Sequence, residues 1–381
     1  MSRDPAFISE CVALTRALRD FPSLAALRRS ARWPELEPRL ARVLGTVRLH
    51  VPRHPAGETP DPSRVMAVHW NIEHGNRYDA LAAALRDHPQ LAADLVLLNE
   101  VDLGMARSGN RDVAGDLAQT LGFHAAWAPM FLETTAGRDD DNVLAGESMN
   151  QEALFGLAIL SRWPIGEVQV VELPSPERFQ FDVEGMYGRH IGLIATIERP
   201  YAPFVAVSTH LEVHRTRSHR ARQMAALTRA LTREGRPVIL GSDLNSHTFG
   251  RGRPWDPWLG ALVLMGWPDG ALRARLLNPD RGGARERVFD VLREARFEWH
   301  ALNDRRPTLK LRLQRLHEAR GAIGRVAAVF GGLLRHAEAR AELRLDWFAG
   351  RGWHRGRGAT VSGLDGPDGA SDHAPIVAEF R

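Results

Sequence analysis

Eight polar residues could do chemistry together if the fold gathered them: Asn71, Glu100, His210, Asp243, Asn245, Asp346, Asp372 and His373. They sit in short clusters along the chain: Trp70-Asn71-Ile72-Glu73, Asn99-Glu100-Val101-Asp102, Thr209-His210-Leu211-Glu212, Gly241-Ser242-Asp243-Leu244-Asn245, Leu345-Asp346-Trp347 and Ser371-Asp372-His373-Ala374-Pro375. Converging, Glu100, Asp243, Asp346 and Asp372 would put four carboxylates in one pocket. Like charges that close stay ionised only with a compensating cation or strong pKa shifts. Hard oxygen ligands with few imidazoles and no thiolates suit Mg²⁺, Mn²⁺ or Ca²⁺ better than Zn²⁺. His210 and His373 would supply donors or proton-transfer groups near neutral pH. Asn71 and Asn245 would orient a water or a phosphate oxygen without adding charge. Such a set fits attack of water on a phosphodiester or phosphomonoester. The metal would neutralise the phosphate and the leaving oxygen, and an aspartate would activate the nucleophile. Each cluster alone is weak, because a Ser-Asp-His triplet is commonly a turn and a strand-end glutamate commonly a salt-bridge partner. The signal is the whole set, each cluster at a predicted strand terminus, where strands hold groups rigidly and loops leave them accessible.

The elements that must position these groups are short apolar runs at residues 65–70, 94–98, 157–160, 190–197, 204–208 and 238–240, read as buried strands. Polar-faced helices at 78–87, 113–121 and 216–232 lie between them, which suits a sheet-based α/β domain. Residues 1–60 form a helical N-terminal extension. Phe7, Cys11, Leu14 and Leu18 recur at spacings of one helix face, further helices fall at 24–29 and 35–44, and a Pro-rich connector covers 51–62. The polar face mixes both charges, so the extension reads as a cap packed on the main domain rather than a membrane- or partner-docking element. Residues 61–381 form the catalytic domain. Within it, 305–344 reads as a helical insertion near the rim of the site, with Leu309, Leu316, Ile323 and Phe330 seven residues apart and Gly331-Gly332 interrupting.

Composition constrains the partners. Of 381 residues 44% are hydrophobic, ample for a large core, and the formal net charge is +4. Lys310 is the sole lysine among 50 basic residues, so the basic face is arginine, whose planar fork suits phosphate. The 46 acidic residues offset most of that charge, and composition alone does not make the chain a nucleic-acid binder. Cys11 is the only cysteine, which excludes an intramolecular disulfide and a thiolate metal site. Arg3, Asp4 and Glu10 occupy the N-terminal stretch with no apolar h-region, and no run approaches the ~18 apolar residues of a membrane span, so a cytoplasmic location is expected. A peripheral membrane contact stays open, and oligomeric state is not legible.

The order W-N, N-E, T-H-L, G-S-D-L-N, L-D-W, S-D-H-A-P resembles the motif series of the endonuclease/exonuclease/phosphatase superfamily, the group sharing the DNase I fold. Leu157-Ala158-Ile159-Leu160-Ser161-Arg162-Trp163-Pro164 is similar to that family's AILSRxPI strand. The resemblance runs from about Arg64 to Arg381. It implies a DNase I-like four-layer α/β sandwich, two mixed sheets packed face to face with helices outside. It implies a metal site, for Mg²⁺ or Mn²⁺, on Glu100 with Asn71 beside it and Asp372 as a further acid. It implies catalytic roles for five residues. Asp243 would orient or deprotonate the attacking water, with Asn245 its companion in phosphate binding. His373 would bind the scissile phosphate or act as base, Asp346 would orient its ring, and His210 would donate to the phosphate or leaving group. Exonuclease III-type abasic-site endonucleases lack the histidine that His210 matches, so the chain leans to the DNase I, sphingomyelinase and inositol-phosphatase side. Leu157 departs from the asparagine common in the GNAILS strand, which removes one supporting contact.

The expected activity is therefore metal-dependent hydrolysis of a phosphate ester, with the substrate open. A nuclease would show a basic, aromatic-bearing groove, for which Arg251, Arg253, Trp255, Trp258 and the arginine-rich insertion are candidates. A phospholipid or inositol phosphate hydrolase would show an apolar rim, for which Trp347, Phe348 and Trp353 are candidates. A non-catalytic binding protein on the same fold is disfavoured because inactive relatives lose one or more of these acids or the final histidine. Glu73 and His74 are further pocket candidates. Arg189 reads as a surface ion pair, and Asp139-Asp140-Asp141 as a solvated loop.

Overall fold

The computed structural model describes residues 4–57, 61, 63–137, 140–247, 263–264, 266–283, 285–310 and 340–381. The expected rim residues Arg251, Arg253, Trp255 and Trp258, residue Asp139 and most of the 305–344 insertion lie outside them.

Two sheets are built on residue alternation. Strand β2 (Val65–His74) sends Val65, Ala67 and His69 to one face and Val68, Trp70 and Ile72 to the other, as the period of two requires. In the larger sheet it lies between β3 (Leu95–Leu103), parallel to it, and β15 (Ile376–Phe380), antiparallel. Beyond β3 come β5 (Leu154–Ser161), β4 (His124–Glu133) and β1 (Arg48–His50), with β7 (Met186–Gly188) also on β4, and β14 (Gly356–Thr360) closes the edge beside β15. The second sheet has the order β13 (Asp346–Arg351), β10 (Val238–Asp243), β9 (Phe204–His210), β8 (Ile191–Ile197) and β6 (Ile165–Glu172). Strands β2, β3, β9 and β10 run further than the apolar runs suggest, because each continues into the polar residues of its terminal motif.

One apolar cluster, including Leu95, Leu97, Ile159, Leu193, Ala206, Ile239, Phe348 and Phe380, fills the space between the sheets. The outer face of the larger sheet buries Val68, Trp70, Val96 and Leu98 against α4 (Tyr78–Asp87) and α5 (Val113–Leu121), and against α1 (Pro5–Arg19), α2 (Leu24–Arg29) and α3 (Trp33–Leu44) of the N-terminal extension. The outer face of the smaller sheet buries Val205, Val207, Leu240 and Trp347 against α8 (Arg217–Ala230) and the helix Val288–Glu294. The result is helix, sheet, sheet, helix, a four-layer α/β sandwich. Among the described residues no helix is long and apolar enough to cross a membrane.

The extension is tied down by polar contacts as well as by its apolar face. Cys11, Leu14 and Leu18 are buried on α1. Arg19 Nε donates to Thr134 O at the end of β4, Leu24 N donates to Asp182 Oδ1 at 2.6 Å, and Arg28 pairs with Glu177 at 2.5 Å. Residues 48–50 add β1 to the edge of the larger sheet.

One device brings the sheets close at one end, and another fixes a loop beside it. Gly241 faces the other sheet, and a Cβ there would fall 2.8 Å from Leu97 Cδ1 and 3.0 Å from His69 Cβ, so only glycine permits the approach. Arg220, fully buried on α8, donates to Glu286 at 3.2 and 2.7 Å and to the Arg215 carbonyl at 2.9 Å, fixing the loop that follows β9. Removing the carboxylate would strand a buried guanidinium, so Glu286→Ala is expected to cost about 3–5 kcal/mol in urea denaturation. An Arg220→Met/Glu286→Leu double variant, which removes both charges, should recover most of the loss. An unchanged midpoint in Glu286→Ala would refute the structural role.

Candidate active site

The same alternation that builds the inter-sheet core delivers the polar set. Asn71 continues the inward series of Val65, Ala67 and His69, and Asn99 that of Leu95 and Leu97. His210 continues Phe204 and Ala206, and Asp243 continues Ile239 and Gly241. In register Asp243 lies opposite both His210 on β9 and Asp346, the first residue of β13. Glu100 has the wrong parity for this face. It reaches it because the β2–β3 and β3–β5 ladders shift register after Asn71 and Leu98, and Glu100 takes φ 54°, a left-handed conformation that re-aims its side chain.

The groups meet around Asp243. Its Oδ2 accepts from Asn71 Nδ2 at 3.3 Å and lies 3.6 Å from His210 Nε2 and 3.9 Å from His373 Nε2. Its Oδ1 accepts from the Asn245 backbone N–H at 2.8 Å, and its own N–H donates to Asn99 Oδ1 at 3.0 Å. Asn71 Nδ2 also donates to Glu100 Oε1 at 3.0 Å. Glu100 Oε1 lies 3.9 Å from His210 Nδ1, and Glu100 Oε2 lies 3.5 Å from His74 Nε2. Asn245, at φ 47°, sets its Nδ2 3.0 Å from His210 Nε2 and donates to Leu211 O at 2.7 Å.

His373 and Asp346 form a buried pair, Nδ1 to Oδ2 at 2.7 Å. Burial by itself would lower the pKa of His373. The Asp346 carboxylate, through charge and hydrogen bond, reverses this and holds the imidazole well above its usual value. Asp346 is correspondingly held below the usual carboxylate range despite its burial. The loop bearing His373 is pinned to β2: Trp70 Nε1 donates to His373 O at 2.7 Å, and Ser371 Oγ donates to Asn71 O at 2.7 Å.

Asp372 is half-buried and reaches the set through charge. Burial pushes the Glu100 carboxyl up, and the Asp372 carboxylate adds to that rise. Asp243, Asp346 and His373 each offer a ligand atom within 4.8 Å of the others, a second arrangement able to hold a cation.

Several contributors carry no motif. His69 Nε2 lies 3.2 Å from Asp346 Oδ1, so Asp346 sits between two imidazoles. Its signal was parity, since it shares the inward face of β2 with Asn71. Asn99 Nδ2 donates to Ser208 Oγ at 3.1 Å and helps join the sheets. Thr308 Oγ1 accepts from the Asp346 N–H at 3.2 Å. Its neighbours Leu309–Lys310 (β11) pair with Glu342–Leu343 (β12), and Leu309 bridges His373, so both ends of the 305–344 segment meet beside the site.

The remaining expectations divide. Trp347 and Phe348 are fully buried, one on each side of the smaller sheet, and Trp353 packs on Phe204 and Phe380, so none forms an apolar rim. Arg189 makes the expected ion pair, with Glu172 at 2.7 Å, and Glu73 pairs with Arg77, whereas the expected solvated loop is a helix over Asp140–Ala145 whose Asp141 lies 3.3 Å from the buried Arg107. His74 lines a cavity of about 210 Å³ that opens beside Glu100 and His210.

A family model described as Endonuclease/Exonuclease/phosphatase family matches residues 68–373. No curated protein matches the chain. Among solved structures, an endonuclease/exonuclease/phosphatase from Beutenbergia cavernae DSM 12333 is 17% identical, with 84% of this chain and 71% of that chain covered and a TM-score of 0.50. The human Nocturnin catalytic domain with bound sulfate is 14% identical over 84% of this chain and 95% of that one, at a TM-score of 0.46. Truncated Caenorhabditis elegans TDP2 is 17% identical over 83% and 97%, at 0.44. At 17% identity the likeness to the Beutenbergia cavernae structure bears on the fold alone.

Proposed function

Because the chain belongs to the Endonuclease/Exonuclease/phosphatase family, we propose that it is a divalent-metal-dependent phosphoesterase that drives water onto a phosphodiester or phosphomonoester. The observation that carries this reading is the convergence on Asp243 Oδ2 of Asn71, His210 and His373, all within 3.9 Å and from separate segments.

The residues fit a hard cation. The contacts of the Glu100 carboxylate are an amide and two imidazoles, a second carboxylate raises its pKa further, and His210 Nδ1 beside it is buried without a hydrogen-bond partner. Asn71, Glu100 and Asp372 would hold Mg²⁺ or Mn²⁺, which when bound neutralises charge on the phosphate and the leaving oxygen. The alternative trio is better suited to handling protons, because His373 Nδ1 is already engaged by Asp346 at 2.7 Å.

The chain's own groups then divide the work. Asp243 Oδ2 orients the attacking water and receives its proton. His373, its ring fixed by Asp346, presents Nε2 to the phosphate. Asn245 and His210 meet a phosphate oxygen or the leaving group from the other side of Asp243. Preorganised donors in a partly desolvated pocket stabilise developing charge without reorganising.

Hydrolysis of bis-p-nitrophenyl phosphate tests this reading. Turnover should require Mg²⁺ or Mn²⁺, stop in EDTA and return when the ion is restored. Turnover insensitive to EDTA, or none with metal bound to folded protein, would overturn it.

A further inference from the structure

The hydrolytic set leaves one buried polar side chain beside it without a task. His69, on β2, is fully buried. Its ring stands edge-on to Phe348, with centroids 6.2 Å apart, and Gly241 leaves the room for it: a Cβ there would fall 3.0 Å from His69 Cβ and 3.2 Å from Cγ. Its Nδ1 has no hydrogen-bond partner. An apolar side chain would fill the same seat without stranding a polar atom, so what the imidazole contributes lies at its other nitrogen.

That nitrogen, Nε2, lies 3.2 Å from Asp346 Oδ1. Two lone pairs would repel across this distance, so Nε2 carries a proton and donates it to the carboxylate. Asp346 Oδ2 is taken by His373 Nδ1 at 2.7 Å. One bond alone would let the carboxylate turn about it. A second, on the other oxygen and from the other sheet, fixes its plane. Burial works against ionising Asp346, and His373 first and His69 second outweigh it.

Strand β2 thereby sets both members of the pair through three consecutive residues. His69 holds the Asp346 carboxylate, Trp70 Nε1 donates to His373 O at 2.7 Å, and the Asn71 carbonyl accepts from Ser371 Oγ at 2.7 Å. The backbone of His373 and the carboxylate that orients its ring are thus tied to one strand. A tilt of that carboxylate would carry to the far end of the imidazole, Nε2, which lies 3.9 Å from Asp243 Oδ2. Misalignment of this kind costs turnover rather than affinity, because alignment matters most where the reacting groups meet.

We propose that His69 is a positioning residue of the hydrolytic site, acting through Asp346 to aim His373 Nε2 at the scissile phosphate. This rests on the phosphoesterase reading and deepens it, adding a third member to the His373–Asp346 pair.

Methionine and glutamine test it as a matched couple on the metal-loaded full chain. Both reach about as far as the imidazole's Nε2, and only glutamine keeps an N–H there. His69→Met should lower kcat on bis-p-nitrophenyl phosphate about 10–100-fold, the scale at which partners that orient a reactive group act, with KM little changed. His69→Gln should recover most of that loss. Should His69→Met fold poorly, His69→Leu takes its place. In an Asp346→Asn background His69→Met should cost nothing further, because the two residues act as one unit. Equal losses in the methionine and glutamine variants, losses that fall on KM, or losses that add to Asp346→Asn would show a packing role only and overturn the proposal.

A second readout needs no turnover. In the Mg²⁺-loaded protein the proton on His373 Nδ1 should give a far-downfield proton NMR resonance, identified by its loss in His373→Gln. It should persist in His69→Gln and move upfield or vanish in His69→Met. A wild type without that resonance, or a resonance that His69→Met leaves in place, would overturn the proposal. Failure of the wild type to cleave bis-p-nitrophenyl phosphate would count against the hydrolase reading instead, and the resonance would then judge His69 by itself.

Discussion

Replacing Asp243 by asparagine should lower kcat for bis-p-nitrophenyl phosphate by about 10³-fold or more, the scale of a lost general base in a preorganised site, while the melting temperature stays near that of the wild type. The reasoning is atomic. Asp243 Oδ1 accepts the short bond from the Asn245 N–H at 2.8 Å, so an asparagine places its carbonyl oxygen there. Its NH₂ then replaces Oδ2, the atom that Asn71 Nδ2, His210 Nε2 and His373 Nε2 surround. Asn71 Nδ2 would then face a donor, and no acceptor for the water's proton would remain. The strand itself is untouched, since the bond from Asp243 N to Asn99 Oδ1 and the pairing with β9 and β13 use the backbone. A variant retaining more than a tenth of wild-type kcat would remove Asp243 from the mechanism.

Glu100→Gln should separate stability from function. Loss of the metal's several kcal/mol of charge stabilisation predicts a fall in kcat/KM of about 10²–10⁴-fold at a fixed, moderate Mg²⁺ concentration. In EDTA the same variant should be as stable as the wild type or more so. The Glu100 carboxyl is costly to ionise, first through burial and then through Asp372, and glutamine removes that charge while keeping its size. Differential scanning with and without Mn²⁺ reads both effects, because an ion that binds only the folded state raises the transition temperature. The wild type should gain from Mn²⁺ and Glu100→Gln should not. A Glu100→Gln protein still stabilised by Mn²⁺ and still active would place the ion elsewhere.

Much of this site could be seen in the sequence because strands are periodic. Polar residues that continue the inward parity of an apolar run, as Asn71 and Asp243 do, must emerge at the end of the inter-sheet core. Spacing said less about Glu100, whose parity points to the helices and whose direction depends on a register shift and a left-handed backbone angle. His69 was hidden by its setting inside an apolar strand, although its parity with Asn71 was the clue. Gln180, His190 and Glu212 line the cavity from a short helix, the residue before β8 and the loop after β9. No local pattern links three such segments, so only tertiary structure assembles them. Trp347 and Phe348 misled for a related reason: beside Asp346 they look like a rim, yet alternation sends both into cores.

The outer layers were legible where amphipathic spacing was strong. The helices Tyr78–Asp87, Val113–Leu121 and Leu24–Arg29 fall where the apolar spacing puts them. Strand β4 was harder to read, because His124–Glu133 is buried on both faces and shows no alternation.

Titration of the EDTA-stripped protein with Mn²⁺, followed by calorimetry on the wild type, Glu100→Gln and Asp243→Asn, tests the central claim most directly. If Glu100 founds the metal site and Asp243 serves the water, the wild type and Asp243→Asn bind the ion alike and Glu100→Gln loses most of its affinity. Binding kept in Glu100→Gln but lost in Asp243→Asn would put the cation on the Asp243–Asp346–His373 group and contradict the division of roles.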